Sequence, residues 1–222
     1  MSKPGPLRPV DAASVVLIDR TEGGFRVLVG KRSSRHVFMP EVYVFPGGRR
    51  DRHDSRIPVS APLHAAAAER LMRRTPPRTS EATLRGLAVA ALRELHEEAG
   101  LAVGTPVDEA TAGLPFRPDL SGLRFFARAI TPPGQPRRFD TRFFALFVDD
   151  ARIDPAATQD SHELLDLQWI DLFGHLKLDM PMVTVRVLEE LRTCLRQDSS
   201  LPFEMPAALF STRNGQIVRD VL

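Results

Sequence analysis

The sequence has a single cysteine, Cys194, so no intrachain disulfide can form and a reducing compartment suits the chain. Cys194 falls in an expected helix and reads as a packing residue. Charge of one sign is also missing. Thirty basic and 28 acidic residues leave a net charge of +2, too little to argue for a nucleic-acid partner. No run approaches the roughly 18 apolar residues that span a bilayer. The segment 1–9 is basic but is not followed by an apolar core of signal-peptide length, so the cytoplasm is the expected location. Gly47-Gly48 has no Gly-x-Gly-x-x-Gly context, which removes support for a dinucleotide-binding fold. Repeats and low-complexity stretches are absent.

What is present describes a globular chain of 222 residues, 43% apolar and 26% charged, with 19 prolines and 14 glycines that call for many turns. Its length fits one domain, expected over 10–222, with an insertion near 55–85. Strands are expected at Ala13–Asp19, Phe25–Gly30, Val42–Phe45, Leu123–Ile130, Phe139–Val148 and Leu164–Ile170, with a last one at Gln216–Leu222. Pro46-Gly47-Gly48 should leave the sheet, because proline lacks a donor and glycine relaxes the backbone. Val103–Pro118 reads mostly as loop.

Three helices are expected. Leu63–Arg74 is alanine-rich and ends in basic residues. It could cover a cleft or form a homodimer contact. A second helix, Glu81–Glu98, has Ser80 as N-cap and Gly100 as C-cap, with Leu84, Leu87, Ala88, Ala91, Leu92 and Leu95 at helical spacing. The third, Met182–Leu195, should bury Val183, Val187, Leu188 and Leu191. Strands alternating with so few helices imply an α+β fold, an α/β/α sandwich around a mixed β-sheet.

On the second helix Glu94 shares a face with Glu97 and Glu98, at offsets of three and four. Three adjacent carboxylates repel unless a cation compensates. Mg²⁺ suits them, since it takes oxygen ligands and keeps waters while binding phosphates. Arg93, four before Glu97, can hold that carboxylate's orientation. Such a centre can neutralise a diphosphate and lower the pKa of a water, leaving a carboxylate to take the proton.

The run Arg93-Glu94-Leu95-His96-Glu97-Glu98-Ala99-Gly100-Leu101 resembles the second half of the Nudix box, Arg-Glu-apolar-x-Glu-Glu-x-Gly-apolar. Phe45-Pro46-Gly47-Gly48 resembles its glycine loop, with Gly48 at the opening glycine. Asp54 stands where the box has its first Glu. Thirty-eight residues separate Asp54 from Arg93 where the box has seven, a surplus of 31. The resemblance implies Glu94, Glu97 and Glu98 as metal-binding glutamates, with Glu98 foremost. It implies the Gly47 carbonyl as a further metal ligand, Arg93 as the residue that orients the helix carboxylates, and Mg²⁺ or Mn²⁺ as cofactor.

The long insertion, Lys31-Arg32, Phe38-Met39-Pro40 and the run Arg138–Phe144 are similar to the coenzyme A diphosphatase branch of that family, typified by the peroxisomal enzyme of mammals. The segment from Glu163 to Trp169 is similar to the family's late acidic, tryptophan-containing segment. The final Asp220-Val221-Leu222 is unlike a Ser-Lys-Leu address, consistent with the cytoplasmic expectation.

The branch implies hydrolysis of coenzyme A or acyl-coenzyme A. ADP-ribose, NAD(H), capped nucleotides and a non-catalytic nucleotide-sensing module are the alternatives. Candidate substrate-binding residues are Arg32, Arg35, Arg138 and Phe38, with Lys31, Arg137, Arg142, Phe139, Phe143 and Phe144 raising the same question. Glu163 is a candidate further ligand or base, and Trp169 and His96 read as packing or surface residues.

Overall fold

A computed structural model describes residues 7–34, 39–175 and 177–222. In chain order the elements are β1 (Val10–Thr21), β2 (Gly24–Arg32), β3 (Tyr43–Val44), β4 (Gly47–Arg49), α1 (Ala65–Met72), α2 (Glu81–Ala99), β5 (Gly104–Thr111), β6 (Leu114–Pro118), β7 (Arg124–Ile130), β8 (Phe139–Phe147), β9 (Leu164–Asp171), α3 (Met182–Gln197), β10 (Ala208–Arg213) and β11 (Gln216–Val221). The main sheet runs β11-β10-β7-β8-β1-β2-β3, with β4 also on β1 and β9 also on β2. It is mixed: β1 is parallel to β8 and β7 to β10, and the remaining pairs are antiparallel.

The layers follow from β1. Successive side chains leave opposite faces of a strand. Val15 and Leu17 enter the core beneath α2, whereas Val16 and Ile18 enter the one beneath α3. All four are fully buried, so β1 is covered on both faces and reads as a continuous apolar run. The result is the expected α/β/α sandwich around a mixed sheet.

All six apolar positions expected to face the core from α2 are buried, and Gly86, Val89 and Ala90 are buried too. The inserted segment explains the extra burial. Ser55 lies against Gly86, where a Cβ would stand 2.5 Å from its hydroxyl oxygen, and α1 sends Ala67 and Leu71 into the same core. Arg70 of α1 donates to the carbonyls of Phe203 and Glu204. The inserted helix therefore clamps α2 from outside, and it does not cover the cleft described below. Ser80 caps α2 by accepting the Thr83 N–H, and Gly100 ends it at φ 73°.

Several expectations are corrected. The 103–118 segment contains the β5–β6 hairpin, turned at Ala112 and Gly113. Its strand character is hidden because β5 is exposed along nearly its whole length and only β6 alternates, burying Leu114, Phe116 and Pro118. Gly47 and Gly48 stay in the sheet, opposite Ser14 and Ala13. Gly47 has φ 155°, and a Cβ there would stand 2.2 Å from Ser14 Oγ, so glycine permits the close pairing instead of ending it. β10 was not expected; it joins β11 to β7. Val183 is 39% exposed, and Thr184 takes the buried position at the start of α3. No helix among the described residues is long and apolar enough to cross a membrane.

Candidate active site

The last turns of α2 face β4. Arg93 is the hub between them. Its Nε donates to Asp54 Oδ1 at 2.9 Å and one terminal nitrogen to Asp54 Oδ2 at 3.3 Å and to the Arg49 carbonyl at 3.0 Å. The other terminal nitrogen donates to Glu94 at 2.9 Å and Glu97 at 2.8 Å. All five donors of the guanidinium thus have acceptors. One side chain ties the glycine strand, the Asp54 turn and two helix carboxylates into fixed relative positions. Burial alone would lower its pKa; the hydrogen bond it donates to Asp54 and the charges of Glu94, Asp54 and Glu97 more than offset that and raise it.

Asp54 is 1% exposed and also accepts the Asp51 N–H at 2.7 Å. The residue most displaced from the box in sequence is therefore in direct contact with the catalytic-helix candidates. Its shape as a buried acceptor gives no signal in a polar, loop-like stretch of sequence.

Glu98 is 7% exposed and accepts the Gly47 N–H at 2.7 Å. The Gly47 N–H thus ties the glycine strand directly to Glu98. Burial pushes the Glu98 carboxyl up to about 8, with Glu94 adding to the rise and the Gly47 N–H and Arg32 opposing it. Burial likewise raises Glu94 to about 7, against the pull of Arg93. Gly48 makes room for that carboxylate, since a Cβ would lie 2.4 Å from it. Glu97 is half exposed. Burial lowers the Arg32 pKa, and Glu98, Glu163 and Glu94 oppose the change.

These groups border two cavities. The first, about 570 Å³, is lined at one end by Arg32, Gly47, Gly48, Arg49, Glu94 and Glu98 and extends over the α3 side of the sheet. The second, about 560 Å³, lies between Glu94, Glu97 and Glu98 and the segment 160–163. Glu163 borders both.

Arg32, Phe139 and Phe143 line the first cavity, whereas Arg35 and Phe38 lie outside the described residues. Arg138 does not line it. Its guanidinium donates to the carbonyls of Thr131 and Leu7, and it is Arg137 that faces the cleft. Lys31 pairs with Glu41. Arg142 is buried and pairs with Asp11 at 2.8 Å and Asp140 at 3.2 Å, holding β8 to β1. Phe144 points to the α2 core. Trp169 donates to the Pro155 carbonyl, His96 packs edge-on against Phe116, and Cys194 is buried.

The donor chemistry fits a hard divalent cation, because two buried carboxylates repel each other and are held above their ordinary range. Among the described residues, though, no three His, Cys, Asp or Glu side chains are placed to hold a metal ion together. Arg93 occupies an oxygen of Glu94 and of Glu97.

No known protein-family profile matches the chain. A Caenorhabditis elegans protein, provisionally named nudix hydrolase 7, is 27% identical over 183 residues, 72% of this chain. The chain spans about half the length of that curated relative (50%). Among solved structures, a NUDIX hydrolase from Alicyclobacillus acidocaldarius is 24% identical with a TM-score of 0.61, covering 87% of this chain and 96% of its own. A MutT/nudix family protein from Enterococcus faecalis reaches a TM-score of 0.55 at 13% identity, covering 92% of this chain and 68% of its own. The fold is thus of the Nudix type, and no branch within it is singled out by these likenesses.

Proposed function

We propose that this chain is a Nudix-type diphosphatase that hydrolyses a nucleoside diphosphate linked to another group, with coenzyme A or acyl-coenzyme A as the foremost substrate. The observation that carries the reading is the Arg93 hub, which holds Glu94 and Glu97 beside Glu98 and the glycine strand at the mouth of a large cleft. The coenzyme A assignment rests on the sequence resemblance of the insertion and its flanks.

By the sequence resemblance Glu94, Glu97 and Glu98, with the Gly47 backbone, would hold Mg²⁺ or Mn²⁺; in the arrangement seen the three carboxylates do not converge on one ion, so waters would fill much of the shell, as Mg²⁺ prefers. When bound, the cation neutralises diphosphate charge and makes a water more acidic. This chain's residues supply the rest. Arg93 fixes the carboxylates. Arg32 offers charge-assisted hydrogen bonds to the diphosphate. A carboxylate of the cluster accepts the proton of the attacking water. The water oxygen bonds to one phosphorus, the bridging P–O bond breaks, and two phosphate monoesters leave. From coenzyme A these are 3′,5′-ADP and 4′-phosphopantetheine.

The test is a panel of coenzyme A, acyl-coenzyme A, ADP-ribose, NADH and a capped nucleotide with Mg²⁺ or Mn²⁺, read by mass spectrometry in ¹⁸O-water. Coenzyme A compounds should turn over fastest, with one ¹⁸O in one product. Much faster hydrolysis of ADP-ribose or NADH would move the substrate, and no hydrolysis of any would favour a nucleotide-sensing module.

The cation itself has a separate readout. Both raised carboxyls start from an ordinary value of 4.5, so their neutral forms are favoured in the folded protein. Their contribution to stability is full below about pH 4.5 and is lost as pH rises through about 7 and 8. Metal-free protein should therefore melt at lower temperature at pH 8.5 than at pH 5.5. Added Mg²⁺ or Mn²⁺ should recover the difference, with a larger gain at pH 8.5. Equal metal-induced shifts at the two pH values would contradict cation binding at these carboxylates.

A further inference from the structure

The cleft has a second end. A row of floor residues crosses four strands in register: Ala12 opposite Thr141, Thr141 opposite Ala129, and Ala129 opposite Phe210. From β1 to β10 is three strand spacings, about 14 Å. The acidic residues of the lining, Glu94, Glu98 and Glu163, all belong to the β1–β4 end. Phe139, Phe143 and Phe210 make the middle apolar.

Two further arginines line the cleft away from the carboxylates. Arg137 lies in the β7–β8 connection, is exposed, and has no ion pair or hydrogen bond among the described residues. Arg186 is on the first turns of α3. Glu190, one turn later on the same face, is bound by Arg219 of β11 at 2.7 Å, which places Arg186 on the β11 side near Ile217. Its own partner is Glu189 at 3.0 Å, an exposed pair worth little. α3 begins at Pro181 with no side-chain cap, and the buried Thr184 lines the cleft beside it.

We propose that Arg137 and Arg186 form a second anion-binding subsite, so that the substrate carries a phosphate or carboxylate separated from its scissile diphosphate by a body that lies on the apolar floor. This rests on the diphosphatase reading and deepens it. The electrostatics give the reason. A second anion is repelled at the Glu94–Glu98 end and attracted where the lining holds cations and no acid. The arginines thus select for substrates by a group remote from the reacting bond.

The shared chemistry has two sources in this substrate class, a phosphate on the nucleotide or a carboxylate on an acyl group. Paired ligands separate them: coenzyme A against 3′-dephospho-coenzyme A, and malonyl-coenzyme A against acetyl-coenzyme A. Binding is read by calorimetry with Mg²⁺ at low temperature, and hydrolysis separately. In the unmutated protein the member with the extra charge of one pair should bind about tenfold tighter, the scale of one charge-assisted contact. Arg137→Ala/Arg186→Ala should erase that difference and leave the other member's binding and the melting temperature unchanged, since both side chains are exposed.

Equal affinity within both pairs, no binding of any ligand, or an affinity difference that survives the double substitution would overturn the subsite. A difference within a pair, erased by the substitutions but without hydrolysis of any ligand, would instead overturn the diphosphatase reading and leave the subsite standing.

Discussion

Glu98→Gln should abolish hydrolysis and at the same time stabilise the metal-free protein at pH 8. Glutamine is close in shape, and its carbonyl oxygen can still accept the Gly47 N–H that Glu98 accepts at 2.7 Å. What disappears is a charge in a site that is 7% exposed and beside Glu94. Under the proposed function, loss of this carboxylate should lower kcat by about 10³-fold or more, equivalent to about 4 kcal/mol of transition-state stabilisation. The stability change has the opposite sign because a buried charge with no cation is costly. Near pH 5 the carboxyl is already protonated, so the stabilisation should fade there. Metal-induced stabilisation should also vanish in the variant. A kcat within tenfold of the parent, or a melting temperature at pH 8 that falls, would remove Glu98 from the centre of the site. This pairing of outcomes separates a functional carboxylate from a structural one, whose loss would lower activity and stability together.

Legibility in the sequence depended on how local the signal was. α2 was readable almost to the residue, because its apolar spacing, the Ser80 cap and the left-handed Gly100 all lie within one stretch. The carboxylate spacing was readable for the same reason. β10 was not, because it is defined by pairing with β7 and β11, which lie elsewhere in the chain. β5 is exposed and pays no burial that would impose alternation. Arg137 and Arg138 are adjacent and chemically identical, so only the fold decides which faces the cleft and which is consumed by backbone carbonyls. Val183 and Thr184 exchange expected places because the first turn of α3 borders a cavity, where an apolar side chain can stay partly exposed.

Asp54 shows the same limit most sharply, and its substitution is the second large expected effect. Asp54→Ala would leave the Arg93 guanidinium, with side-chain exposure of 9%, without its buried partner. Breaking such a pair costs about 3–5 kcal/mol, and the remaining contacts to Glu94 and Glu97 argue for the lower end. The melting temperature should fall by several degrees for a chain of this size.

Activity should fall as well, for a different reason. Arg93 released from Asp54 no longer fixes Glu94 and Glu97, so kcat should drop and more Mg²⁺ should be needed, while KM for substrate changes little. A merely structural role would lower the melting temperature and leave the Mg²⁺ dependence of the proposed hydrolysis by the folded protein unchanged. Asp54→Glu decides the matter. It restores the residue of the ordinary box and the charge that Arg93 needs, at the expense of one extra methylene in a tight site. It should recover more activity than Asp54→Asn, which keeps an acceptor but not the charge. If Asn rescues as well as Glu, the Arg93 contact works as a neutral hydrogen bond and the electrostatic account of the hub is wrong. The 31-residue surplus between Asp54 and Arg93 leaves from one partner of this buried ion pair and returns to the other, which closes the site in space where the sequence has opened it.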